Sequence, residues 1–235
     1  MEVQSVRDWP RAVKKVTGML WLLAIAAVAD VQAAENSLVL GVFPRYNATQ
    51  TTTMYTPLAE QLSQQLGNTT VQLVTSKDFD SFWKEVQEQK YDIVHYNQYH
   101  YIRSAQNYQV IAHIEELGKS TIAGAIYVRK DSGIASLAQL RGKTVLFGGG
   151  EDAMISYITN RYLMLQAGLK KEDYKSLFAV NPPNSILALY SRLADAAGAG
   201  DGVLDLPVVK KYVNTDELIA LDVSAPLLQL PVAVT

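Results

Sequence analysis

From Ser37 onward the chain alternates short apolar runs with stretches of helical period, and this alternation restricts the fold more than any other feature. SLVLGVF (Ser37 to Phe43) precedes MYTPLAEQLSQQL, whose Met54, Leu58, Leu62 and Leu66 recur at helical spacing before Gly67 stops them. VQLVTS alternates as a strand. DFDSFWKEVQEQ opens with acidic residues, which the positive end of a helix dipole favours. YDIVHY, YQVIAHIE and GAIYVRK read as strands. The second half repeats the order: KTVLFGG as a strand, DAMISYITNRYLMLQAG as a helix ended by Gly168, SLFAV as a strand, and NSILALYSRLAD as a helix opened and capped by Asn184. The pattern predicts α/β units on mostly parallel sheets.

The first 33 residues stand outside this pattern. Arg7, Arg11, Lys14 and Lys15 precede the apolar run GMLWLLAIAAVA, and small residues follow near Ala33. That layout predicts a cleavable secretory signal peptide over residues 1–33; the alternative is an uncleaved anchor. With 235 residues, 49% of them hydrophobic, the rest suffices for a packed core. Cysteine is absent, so no disulfide supports that core. The net charge of −2 and the lack of a basic run argue against a nucleic-acid partner. Export without a lipid-bearing thiol predicts a periplasmic location.

Thr121 to Lys130 separates the two βα series as an extended crossover, and Leu227 to Thr235 reads as a second crossover returning. Two α/β lobes joined in this way form a hinged clamshell. Residues 34–122 with 225–235 are expected in lobe 1 and residues 123–224 in lobe 2. Ligands of such sheets bind beyond the carboxyl ends of the strands.

The candidate contacts lie at those ends. YDIVHY delivers Asn97 and Tyr99, neutral donors suited to an oxyanion. His95 and His100 raise a metal reading, but they do not share a helical face and only three histidines are present. LFGGGEDAM places Gly149, Gly150 and Asp152 between a strand and a helix, where backbone N–H groups can approach an anion. The triplet fits neither a phosphate-binding P-loop nor a dinucleotide fingerprint. Asn184 and Asp201 follow later strands. RYNATQTTTMY supplies Arg45, Tyr46, Thr51 and Thr52 at the start of the first helix. No nucleophile motif is visible, and no cofactor is expected.

In this order, LVLGVFPRYN, P-L-A-x-x-L, Y-D-I-V, S-L-x-x-L-R-G-K, HYNQYHY and FGGGEDAM resemble the PhnD-like periplasmic substrate-binding proteins of phosphate and phosphonate ABC transporters. The resemblance runs from about Ser37 to Thr235. It implies a type II periplasmic binding fold, an anionic solute such as phosphate, phosphite or phosphonate, a permease partner, a monomer and no catalysis. Tyr99 matches the place of a ligand-binding tyrosine. Gly149, Gly150 and Glu151 stand where the family has a Ser/Thr-rich helix start, and Pro182, Pro183 and Asn184 where it has a Ser-His-Asp-like triplet. The family continues with further helices after PVAVT, so lobe 1 is expected to be incomplete. A ligand sensor for a membrane kinase and a phosphoester hydrolase are the alternatives.

Overall fold

The computed structural model describes residues 36–67 and 69–235; the expected signal peptide lies outside them. In chain order the strands are β1 (Asn36–Val42), β2 (Thr69–Thr75), β3 (Ile93–His95), β4 (Gln109–His113), β5 (Thr121–Ile122), β6 (Gly124–Arg129), β7 (Thr144–Gly148), β8 (Lys175–Ala179), β9 (Ala196–Gly200), β10 (Leu218–Val223), β11 (Leu227–Leu228) and β12 (Pro231–Val234). The α-helices are α1 (Ala48–Gln65), α2 (Phe79–Gln87), α3 (Gln98–Ser104), α4 (Thr159–Gln166), α5 (Pro182–Tyr190) and α6 (Pro207–Lys210). A π-helical turn, Met154–Ile158, runs directly into α4.

Two five-stranded sheets result, ordered β2-β1-β3-β12-β4 and β10-β6-β9-β7-β8. The crossovers β5 and β11 pair antiparallel with each other, Leu227 opposite Ile122. The sheets are mixed, which corrects the expectation of mostly parallel pairing. β1 runs parallel to β3, and β7 runs parallel to both β8 and β9. β6 and β12 arrive through the paired crossovers rather than over a helix, so they enter from the opposite end. β12 is therefore antiparallel to β3 and β4, and β6 to β9 and β10.

The helix expected from Met54 begins six residues earlier, at Ala48. Asn47 caps it by accepting from the Gln50 N–H at 2.9 Å. Thr53 and Thr56 donate their hydroxyls back to the carbonyls of Thr49 and Thr52, so the threonine run fits inside the helix. Its apolar stripe is not its buried face: Met54, Leu58 and Leu66 are exposed, whereas Thr51 and Ala59 are buried. Asn181, not Asn184, caps α5, because Pro182 and Pro183 occupy the first turn, where a missing N–H costs nothing. Asn184 lies one turn inside, and its backbone N–H donates to the Asn181 side chain at 3.1 Å.

One apolar cluster spans both sheets. It joins Phe43, Phe79, Phe82 and Tyr96 beside the first to Ile126, Phe147, Ala153 and Tyr157 beside the second. Each such fully buried large side chain contributes on the order of 2 kcal/mol. Glycines let the layers approach. A Cβ at Gly148 would overlap the Pro182 backbone, and one at Gly198 would overlap the Phe147 ring. These contacts seat α5 and the π turn against β7 and β9, with their starts aimed between the sheets.

Candidate functional site between the two sheets

A cleft of about 700 Å³, counting the solvent-open space at its mouth, lies between the sheets. Its walls come from the carboxyl ends of strands. Phe43 and Arg45 follow β1, Asn97 follows β3, Ala153 to Ser156 follow β7, Pro182 follows β8 and Asp201 follows β9. Glu116 and Lys119 of the turn before the first crossover, with Thr121 and Ile122 of the crossover itself, close one side, and Gln229 and Leu230 of the second close another. The lining is largely apolar with convergent polar groups, as in small-molecule sites.

Local structure positions each polar group. The turn at Met154 opens a helix whose first N–H groups have no partner within it, an arrangement that favours an anion. The Ser156 hydroxyl, buried at this start, donates to the Gly148 carbonyl. The Asp201 side chain accepts from the Ala123 N–H at 3.1 Å, which ties the β9 exit to the crossover. Asn97 is the N-cap of α3. Its Oδ1 accepts from the His100 N–H at 2.9 Å and its Nδ2 donates to the Asp152 carbonyl at 3.0 Å, so it is structural as well as cavity-lining.

The charges in the wall are paired. The Arg45 guanidinium lies 2.7 Å from the Glu116 carboxylate, with both side chains largely buried. Tyr46 donates its hydroxyl to Glu116 at 3.1 Å, and burial pushes the phenol up to about 12. Lys119 Nζ lies 4.0 Å from the Asp201 carboxylate. Two cations and two carboxylates therefore face the cavity. The His95 Nδ1–H donates to the Pro231 carbonyl at 3.2 Å, and burial holds the imidazole down to about 4.

The residues expected from the sequence divide into two groups. Asn97 and Asp201 line the cavity. Tyr46 sits behind it, bonded to Glu116. Thr51 is buried in α1 with its hydroxyl unpartnered, Thr52 is exposed, and Asn184 is exposed on α5. Tyr99 stacks beside Arg103, whose guanidinium lies 5.4 Å from its ring centre, away from the cavity lining. Gly149, Gly150 and Asp152 line a second groove with Asp78, Asp80 and Val180. There Glu151 pairs with Lys171 at 2.6 Å and Asp152 with Arg103 at 3.3 Å, so neither acid confronts an anion in the cavity. Burial raises the Asp152 carboxyl, Arg103 lowers it, and Asp80 and Glu151 raise it. The glycine loop continues past β7 before the helix starts, which turns it outward and brings Ser156 inward instead. Sequence reasoning missed Ser156, Glu116 and Lys119; Ser156 was findable as the small polar residue one turn into that helix.

Two α/β layers joined by paired crossovers, with a cavity at the strand ends, define a periplasmic binding protein of type II. Solved structures share the fold. A binding-protein component of an ABC phosphonate transporter from Pseudomonas aeruginosa superposes with a TM-score of 0.74 at 15% identity, over 85% of this chain and 68% of that one. PhnD1 from Prochlorococcus marinus, in complex with methylphosphonate, gives 0.75 at 17% identity, over 85% and 76%. A Xanthomonas citri protein bound to ATP gives 0.68 at 17% identity, also over 85% and 76%. Residues 40–235 match the family described as ABC transporter, phosphonate, periplasmic substrate-binding protein, and the chain belongs to that family.

Proposed function

We propose that the cavity captures a small phosphorus oxyanion, a phosphonate or its relatives phosphate and phosphite, and that the protein hands it to the permease of an ABC importer. The observation that carries this reading is the convergence of a helix start, Ser156, Asn97 and Arg45 on one cavity at the strand ends. Neutral donors and helix N–H groups stabilise an oxyanion at any protonation state. The apolar wall of Phe43, Phe79, Ile122 and Met154 suits a carbon substituent on phosphorus. Glu116 and Asp201 favour a ligand that carries an ammonium group beside its oxyanion. Capture proceeds by hinge closure, the two sheets and their helices acting as the two lobes and the ligand shifting the population toward the closed state.

On this reading the protein works as a monomer in the periplasm, residues 1–33 are a signal peptide removed on export, and no catalysis is required. A thermal-shift panel tests it. Methylphosphonate, 2-aminoethylphosphonate, phosphate, phosphite and methanesulfonate are compared on the purified chain. A ligand at about 100 times its dissociation constant stabilises by roughly 2.7 kcal/mol, or on the order of 5–11 °C for a chain of this size. The expected result is such a shift with at least one phosphonate and a smaller one with methanesulfonate. A shift with methanesulfonate alone would replace the phosphorus ligand with a sulfonate.

A further inference from the structure

One face of α3 reaches across from the first sheet to a single residue beside the second. Asn97, His100 and Arg103 are spaced three apart and therefore share a helical face. Asn97 and Arg103 bond to Asp152, and the neutral His100 ring lies beside it. Asn97 Nδ2 donates to its backbone carbonyl at 3.0 Å, Arg103 Nη1 lies 3.3 Å from its carboxylate, and His100 Nε2 lies 4.0 Å from the same oxygen. The helix face is held rigidly on its own side. The His100 ring stacks on Trp83 with centres 5.2 Å apart and planes 9° apart, and the Arg103 guanidinium sits 4.5 Å above the Trp83 ring. Nearby, Phe79 packs against Gly149, where a Cβ would lie 3.1 Å from the ring. None of Arg103, His100 or Asp152 lines the central cavity.

We infer that Asn97, Arg103 and Asp152 form a latch, seated on the buried His100 ring, that holds the two halves of the molecule together independently of ligand contact, with Arg103 and Asp152 as its positioning residues. The inference rests on the binding-protein reading only in that closure is what the latch stabilises. Asp80 and Glu151 share the groove with Asp152. Of the three carboxylates, Asp152 is the one that Arg103 meets across the two halves, so reversing the charge at 103 sets like charges against each other there and opposes closure. An ion pair as solvent-accessible as this one shifts an equilibrium by about threefold, and turning it into a like-charge pair of similar magnitude shifts it by roughly tenfold in all.

The chain has no cysteine, so Gln87→Cys and Gln166→Cys, exposed positions on opposite sides, accept spin labels cleanly. Pulsed electron–electron distances are measured in the full chain, with and without saturating methylphosphonate, for the labelled parent, Arg103→Glu, and the swapped pair Arg103→Asp with Asp152→Arg. The expected result is a short-distance population in the parent, lost by about tenfold in Arg103→Glu and recovered in the swap. Equal distributions in parent and Arg103→Glu, or no short-distance population in the parent under either condition, would overturn the latch. Calorimetry with methylphosphonate on the same samples keeps the two readings apart. Methylphosphonate binding together with equal distributions in the parent and Arg103→Glu removes the latch alone; loss of the short distance in Arg103→Glu without any methylphosphonate binding removes the phosphonate alone.

Discussion

Lowering the pH from 7 to 5 is expected to destabilise the folded chain by on the order of 4 kcal/mol, about 2 kcal/mol from each of two histidines. His95 and His100 are both buried among rings. Burial holds His95 down to about 4 and His100 down to about 3, with the Arg103 cation adding to the second. In the unfolded chain each titrates near 6.5, so between that value and the folded one the unfolded state binds the extra proton. Stability is therefore full above about pH 6.5 and is lost as the pH falls toward 4. For a chain of this length the loss by pH 5 corresponds to roughly 8–16 °C in Tm. Urea midpoints at pH 7, 6 and 5 measure it. His100→Phe keeps the stack on Trp83, and both imidazole nitrogens it removes are unpartnered. That variant is expected to match the parent near pH 7 and to show about half of the acid loss. A parent midpoint that is flat from pH 7 to 5 would contradict this account of the two rings.

Glu116→Gln is expected to destabilise the chain by about 3 kcal/mol, because it leaves Arg45 buried without its counter-ion. It also weakens the acceptor of the Tyr46 hydroxyl. Arg45→Met combined with Glu116→Leu removes both charges and is expected to recover most of the loss, since paired removal leaves no buried charge. The same variant reports on the site. If a bound oxyanion takes the place of the Glu116 carboxylate beside Arg45, saturating methylphosphonate stabilises Glu116→Gln more than the parent. Equal stabilisation in both proteins would place Arg45 outside ligand contact.

The two-lobe α/β class was legible because it rests on local patterning: short apolar runs such as Ile93 to His95 between helices, and glycine stops at Gly67 and Gly168. Strand direction was not, because β6 and β12 take theirs from crossovers that pair with each other far apart in sequence. Asn97 and Asp201 were legible as cavity residues, since each lies immediately beyond a strand. Gly149, Gly150 and Asp152 satisfy the same rule yet face another groove, because the loop carries them outward before the π turn begins. Glu116 and Lys119 sit in the tight turn that they close with mutual backbone bonds of 3.1 and 3.0 Å. No periodicity marks such a turn, and only the fold brings it to the cavity. The stripe Met54, Leu58 and Leu66 announced a helix correctly but not its buried face, which Thr51 and Ala59 take.

The most direct test of an oxyanion site between the sheets is a calorimetric titration of methylphosphonate into the parent chain and into Arg45→Met, both at pH 7.5, where neither His95 nor His100 is charged. The account predicts one saturable site in the parent and binding weakened by at least about tenfold in the variant, a change of roughly 1.4 kcal/mol. Flat titrations of the parent with methylphosphonate, 2-aminoethylphosphonate, phosphate and phosphite, or equal affinity in Arg45→Met, would contradict it.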